Sequence, residues 1–234
     1  MINTILFDLD GTLLSIDTEE FIKKYFYALG GKLKDYFSPE EVYKYFWQST
    51  KYMINNTDPK ITNEEAFFQD FQQHTEDLEE INALLEEFYE KDFNQLKELG
   101  KSNDDMLEAV EVLKEKGYKL VIATNPLFPR SAILNRISWA KVNLDDFDFV
   151  TSFEHMHFCK PKIEYYKEVL ENIDKKPSEC LMVGNDVNED MISKEIGVKT
   201  YLIENNIIGK VNDNVDHKGN YKDFLYFAKN LPKL

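Results

Sequence analysis

Apolar positions along the chain follow two rhythms. Ile5, Leu6 and Phe7 form a short unbroken apolar run, which predicts a buried strand, and Leu13 and Leu14 return to the core after Asp8, Asp10, Gly11 and Thr12. From there the spacing turns helical. Phe21, Ile22, Tyr25, Phe26 and Leu29 recur at the helix period, and Gly30-Gly31 is expected to end that helix. Pro39 starts a second helix carrying Val42, Tyr43, Phe46 and Trp47. Thr62 with Glu65 makes a capping-box pattern ahead of Phe67, Phe68 and Phe71. A fourth helical segment spans Leu78 to Leu99, with Ile81, Leu84, Leu85 and Phe88 on one face. Residues 16–100 therefore read as wholly helical, acidic and aromatic.

Past residue 100 the rhythm changes. Ser102 or Asn103 caps a helix that ends at Gly117, and "YKLVIATNP" is a buried strand ending at Thr124. Pro129 opens a helix through Trp139, "FDFVTS" reads as a strand, and Pro161 opens the helix "PKIEYYKEVLENI". "CLMVG" is a strand, Asn188–Ile196 a helix stopped by Gly197, and "VKTYLI" a further strand. The tail from Asn205 reads as irregular up to a helix near Tyr221–Leu231. Strands alternating with helices predict an α/β fold whose parallel sheet is covered on both faces.

Right-handed crossovers bring the strand ends of such a sheet to one edge, where ligands bind. Asp8 and Asp10 end the first strand, Thr124 and Asn125 the second; Lys160 follows the third, and Asp186 and Asp190 the fourth. Carboxylates buried in an apolar run are costly unless paired, hydrogen-bonded or metal-bound. Asp8, Asp186 and a backbone carbonyl supply hard oxygens that suit Mg²⁺. Thr124, Lys160 and the amides near Gly11 supply donors that suit phosphate.

Charge and composition narrow the partners. A net charge of −15 disfavours nucleic acid and anionic membranes, so neither is expected as a partner. An anionic substrate would need the field reversed locally, by a cation and a few basic side chains. With 43% hydrophobic residues the chain is globular, and no run is apolar enough to span a bilayer. Cys159 and Cys180 give neither a disulfide framework nor a zinc spacing, and no signal peptide is visible, so a reduced, cytoplasmic protein is expected. A monomer or a weak homo-oligomer is anticipated.

Asp8-Leu9-Asp10-Gly11-Thr12 resembles the first motif of the haloacid dehalogenase superfamily. Thr124 at the end of "LVIAT", Lys160 in "CKPKIEYY" and the acidic loop "VGNDVNED" resemble the second, third and fourth, in that order. The resemblance implies a Rossmann-like core of residues 1–15 and 101–234, with residues 16–100 inserted as a helical cap. It implies an Mg²⁺-dependent phosphatase acting on a small phosphorylated metabolite. Asp8 would be the nucleophile, forming an aspartyl phosphate, and Asp10 the acid/base. Thr124, Asn125 and Lys160 would hold the phosphoryl group. Asp8, Asp186 and the main-chain carbonyl of Asp10 would hold the metal.

Two departures matter. Asn185 stands where many members carry Asp after the glycine of the fourth motif, so it is either a direct ligand or a support behind the metal. Asp190 is expected to orient Lys160 or a metal-bound water. Asp10 argues against dehalogenase chemistry, because dehalogenases of the family usually lack that aspartate. A phosphosugar mutase needs the same four motifs and stays open. The non-enzyme alternative is a receiver-like or inactive binding protein; against it, a receiver's phosphorylated aspartate is not on the first strand, and an inactive protein would not need intact acidic motifs. His155 and His157, two apart, bind metal or are simply hydrogen-bonded, the latter being commoner. Cys159 is expected to be inert packing; Tyr43, Trp47 and Phe67 are expected in the core of the cap. Arg130 either reaches the site or caps a turn.

Overall fold

In the computed structural model, which describes all of residues 1–234, β1 (Thr4–Phe7) is followed by a short strand β2 (Leu14–Ile16). Four helices come next: α1 (Thr18–Lys32), α2 (Pro39–Asn55), α3 (Asn63–Phe71) and α4 (Leu78–Glu87). The chain returns through β3 (Gly100–Ser102). It then alternates: α5 (Asp104–Glu115), β4 (Lys119–Ile122), α6 (Arg130–Ala140), β5 (Phe149–Val150), α7 (Ile163–Asn172), β6 (Cys180–Gly184), β7 (Lys199–Ile203), β8 (His217–Gly219) and α8 (Tyr221–Asn230).

The sheet has the order β5-β4-β1-β6-β7-β8 and every pairing is parallel. β1 is central: Phe7 lies opposite Ile122 of β4 and Val183 of β6. Strand alternation divides the core. Ile5 and Phe7 pack with Leu120, Val183 and Phe224 on one face, and Leu6 with Met182, Tyr165 and Val169 on the other. The first of these clusters continues without a break into the helical insert, through Leu14, Phe21, Phe46 and Phe93. β2 and β3 pair antiparallel as a separate ribbon, Ile16 opposite Gly100, so the insert leaves and rejoins the core at adjacent points.

The expected helices α2 and α3 start on capping boxes, Ser38 with Glu41 and Thr62 with Glu65. Elsewhere the expectations need correction. Gly30-Gly31 does not end α1; the ladder continues to Leu33 N–H, which donates to Leu29 O at 3.0 Å, and Gly30 is buried. The segment after Leu78 is not one helix. α4 stops at Glu87, a wide π turn covers Phe88–Asp92, and a tight 3₁₀ stretch covers Phe93–Leu99. A 3₁₀ helix rises about 2.0 Å per residue against about 1.5 Å in an α-helix, so the last stretch gains reach toward β3. The third core strand is cut to Phe149–Val150. Pro161 precedes α7 rather than opening it, because Cys159–Lys162 closes a turn of its own (Lys162 N–H to Cys159 O, 3.1 Å).

The expected helix at Asn188–Ile196 is a 3₁₀ stretch, Met191–Ile196. Ser193 Oγ and Tyr166 Oη both donate to the Asp190 carbonyl, at 2.8 and 3.4 Å, and compete with the α-helical ladder there. The tail after Asn205 contains β8, too short and polar to show in the pattern. Tyr43 and Trp47 are not in the cap core. Both are substantially exposed, whereas Phe67 is buried as expected.

Candidate active site

The residues singled out by position converge on a cavity of about 230 Å³ at the carboxyl ends of the strands. Asp8, Asp10, Thr124, Asn125, Asn185, Asp186 and Asp190 all line it. Asp8 is the first residue past β1 and is buried; its Oδ1 accepts a hydrogen bond from Lys160 Nζ at 2.9 Å. The same ammonium donates to Asp190 Oδ1 at 2.6 Å. Burial works against the charge on Lys160, but Asp190 and Asp8 outweigh it and hold the amine well above the ordinary lysine value. Burial and the Asp8 carboxylate push Asp190 upward, against Lys160. Asp190 Oδ2 also accepts the main-chain N–H of Asp186 at 2.9 Å. Asp190 thus fixes Lys160 and shapes the acidic loop at once.

The loop after β1 depends on glycine. Gly11 has φ +83°, and a Cβ there would lie 2.3 Å from Asn185 Nδ2. At Gly184, the last residue of β6, a Cβ would lie 2.2 Å from Asp190 Oδ2. Both glycines let the first and fourth loops close on each other. Thr12, buried, donates to Asn185 Oδ1 at 3.1 Å and lies 3.5 Å from Asp8 Oδ2. Asn185 Nδ2 donates to Asn206 O at 2.7 Å, so both ends of the Asn185 amide are engaged in tying loops together. Asn125 acts likewise: Oδ1 accepts Lys160 N–H at 3.2 Å and Nδ2 donates to Glu189 Oε2 at 3.0 Å. Thr124 lies two residues beyond β4, its carbonyl accepting from Thr151 Oγ1 (2.7 Å) and Tyr165 Oη (2.9 Å). Asp186 Oδ1 accepts the N–H groups of Asn188 and Glu189, at 2.7 and 3.0 Å.

Asp10 faces Arg136, whose Nη1 contacts Asp10 Oδ2. Arg136 is buried, with its guanidinium 4.6 Å from the Phe128 ring centre, and its Nη2 has no partner. Burial pushes the Asp10 pKa up, against the pull of Arg136.

A family model described as haloacid dehalogenase-like hydrolase matches residues 2–193. The chain belongs to this family. The pyrophosphatase PpaX of Bacillus cereus (strain Q1) is 26% identical over 209 residues, covering 89% of this chain and 86% of that protein. A haloacid dehalogenase-like phosphatase from Thermococcus onnurineus superposes over the whole of both chains, with TM-score 0.64 at 22% identity. The L-2-haloacid dehalogenase of Xanthobacter autotrophicus shares the fold, with TM-score 0.59 at 14% identity, over 99% of this chain and 100% of that one. The protein is an enzyme of the haloacid dehalogenase-like hydrolases, with phosphatases among its relatives.

Some of the side chains that build this cavity carry no motif. Arg136 sits on the buried stripe of α6 with Ala132, Ile133, Ile137 and Ala140, and an arginine at such a position is the one available signal. Glu189 lines the cavity and is pushed up by burial. Asn206 Nδ2 and Tyr221 Oη both donate to Gly11 O, at 3.1 and 3.2 Å, so the irregular tail braces the first loop. Other candidates fall outside. Arg130 gives its main-chain N–H to Glu154, at 2.8 and 3.1 Å, and its side chain does not line the cavity. His155 pairs with Ser152 at 2.9 Å and His157 with Glu168 at 2.6 Å. Cys159 is buried, its thiol pushed up to about 12 by burial.

The donor set suits a hard divalent ion. Five carboxylates line the cavity, and a phosphate dianion would meet them with only Lys160 and Arg136 to oppose the repulsion. No three acidic, histidine or cysteine side chains stand close enough to hold an ion alone. Mg²⁺ is commonly bound through one or two carboxylates, with water and phosphate oxygens completing its shell.

Proposed function

We propose that the enzyme is an Mg²⁺-dependent phosphomonoester hydrolase that works through an aspartyl phosphate on Asp8 and acts on a small phosphorylated metabolite. The observation that carries this reading is the buried Asp8 carboxylate, held by Lys160 at 2.9 Å in a cavity shared with Asp10, Thr124 and Asp186. Asp8 and Asp186, with the Asp10 carbonyl, would hold the metal, which when bound neutralises the phosphate charge and lets a carboxylate approach it. One Asp8 oxygen attacks phosphorus, and the bond from phosphorus to the leaving oxygen breaks. Asp10 gives its proton to that oxygen; its raised pKa favours the protonated form it needs. In the second half Asp10 takes a proton from water as the water oxygen bonds to phosphorus. The bond to Asp8 breaks, and phosphate and the free carboxylate are restored. Lys160 and Thr124 hold the phosphoryl oxygens throughout, while Asn125, Asn185 and Asp190 keep the loops in register. Residues 16–100 act as a cap that excludes water during transfer.

Release of inorganic phosphate from an aryl phosphate, titrated with Mg²⁺, tests this. Activity is expected to vanish with a chelator and with Asp8→Asn, and Asp186→Asn is expected to move the Mg²⁺ midpoint upward. An unchanged midpoint would take the metal away from Asp186. Conversion of a phosphosugar to its positional isomer without phosphate release would make the enzyme a mutase.

A further inference from the structure

A second cavity, of about 260 Å³, lies where the helical insert meets the core. Ile22, Leu127 and Phe128 line both this cavity and the one that holds Asp8, so the two are neighbours across three side chains. Its wall is rich in aromatic rings, Tyr25, Phe46, Trp47, Phe67 and Phe128 among them. Glu64 from the insert and Glu154 from the core line it half-buried, and Glu86 and Glu90 line it while staying exposed to solvent; no lysine, arginine or histidine lines it. None of the four carboxylates makes an ion pair. Asn82 lines the cavity too, and its buried Oδ1 has no hydrogen-bond donor. Burial, followed by the charges of Glu154, Glu65 and Glu86, pushes the Glu64 carboxyl up, with His155 pulling the other way; Glu154 itself accepts the Arg130 main-chain N–H.

We infer that this cavity receives the leaving group of the phosphoester, and that it selects an aromatic or compact apolar group carrying a positively charged amine. The inference rests on the phosphatase reading above. Aromatic faces attract cations, and carboxylates beside them add charge and hydrogen bonds. The unpartnered Asn82 oxygen accepts an ammonium proton. Size agrees: a cavity of about 150 Å³ takes benzene, so this one takes a ring with a short arm. A second phosphate or a carboxylate on the leaving group would meet four like charges instead. Pyrophosphate and phosphorylated acids are therefore poor substrates for this chain.

Three phosphate monoesters of similar phenols separate the possibilities: O-phosphotyramine, 4-ethylphenyl phosphate and 3-(4-phosphonooxyphenyl)propanoate. They differ in the charge of the arm and little in the reacting bond. The expected order of kcat/KM is ammonium, neutral, carboxylate, with about tenfold between the first two. Glu64→Gln and Glu86→Gln should each shrink the ratio of ammonium to neutral substrate; neither side chain makes a hydrogen bond that folding would miss. Equal kcat/KM for the first two esters, or a ratio untouched in both variants, overturns the inference and leaves the phosphatase reading standing. Binding of tyramine against 4-ethylphenol, by calorimetry, needs no turnover. Tighter tyramine binding that weakens in Glu64→Gln supports the cavity assignment even if no ester is cleaved, a result that would instead sink the phosphatase reading. Tyramine binding no tighter than 4-ethylphenol overturns the assignment.

Discussion

Asp8 and Asp10, two residues apart, face different cations, and that difference separates their roles. Asp8 meets a lysine that also serves Asp190, whereas Asp10 meets an arginine that cannot give up its proton. Asp8→Asn is expected to abolish turnover of every substrate. Asp10→Asn should lose about 10²–10⁴-fold on alkyl phosphates, which need a proton on the leaving oxygen. An aryl phosphate needs little, so the first step survives in Asp10→Asn and a burst of phenol equal to the enzyme concentration appears. Absence of both burst and phosphoprotein would reassign Asp10. Arg136→Met is expected to lower stability by about 1.5–3 kcal/mol in urea titrations, since a charged hydrogen bond is lost. On activity, the double variant with Asp10→Asn should be no worse than Asp10→Asn alone, because Arg136 acts through Asp10. Additive losses would give Arg136 a contact of its own with substrate. The thiols make a control: burial pushes Cys159 and Cys180 each up to about 12. Hardly any thiolate then exists at pH 8, and a disulfide reagent should find two thiols only after unfolding.

At the scale of elements, three sets of hydrogen bonds join the insert to the core. One is the β2–β3 ribbon. A second lies around the start of α3, where the N–H groups of Asn63 and Glu64 donate to Met156 O and Phe153 O, at 2.7 and 3.1 Å, and Asn56 Nδ2 donates to His157 O at 3.3 Å. A third comes from α6, where Asn135 Nδ2 donates to Tyr89 O at 3.3 Å and Trp139 Nε1 to Asn94 Oδ1 at 2.9 Å. Opening of the proposed cap would break the second and third sets and twist the first. Hydrogen exchange at Asn63 and Glu64 should therefore slow when Mg²⁺ and a phosphate analogue are added, together with the amides of β2 and β3. Slowing confined to β1, β4 and β6 would mean that the insert does not move with the site. Much of this architecture was legible in the chain. β1, β4 and β6 are buried on both faces and carry short unbroken apolar runs, so the polar residues that follow them stand out. Helix periodicity found α1, and start and stop residues found α2, α3 and α5, because a helix buried on one face shows spaced apolar positions between its caps. Periodicity could not tell a ring that faces a core from one that faces a cavity, so Trp47 was misplaced. The turns of Phe88–Leu99 keep apolar residues inward at nearly α-helical spacing, which hides their change of pitch. Arg136 was hidden because its partner, Asp10, lies 126 positions away in sequence.

Over the whole molecule, the net charge of −15 opposes the arrival of a phosphate dianion. Raising ionic strength from low values toward about 0.15 M should increase kcat/KM for an aryl phosphate with an uncharged arm, as screening weakens that field. The rise should be smaller for an ester bearing an ammonium, whose net charge is lower. A fall in kcat/KM for the ester with the uncharged arm would point to a local positive funnel at the mouth of the site.

The central place of β1 has a consequence for the order in which the enzyme is made. Its residues leave the ribosome well before those of its two neighbours in the sheet, which are β4, more than a hundred residues later, and β6, at Cys180–Gly184. Until both have emerged, the strand that carries Asp8 has two open edges and no register. A chain interrupted before Gly184 would hold the intact first motif but no acidic loop and no partner for that second edge. Such a fragment should be inert and prone to self-association, and activity during synthesis should rise only after the fourth motif is out.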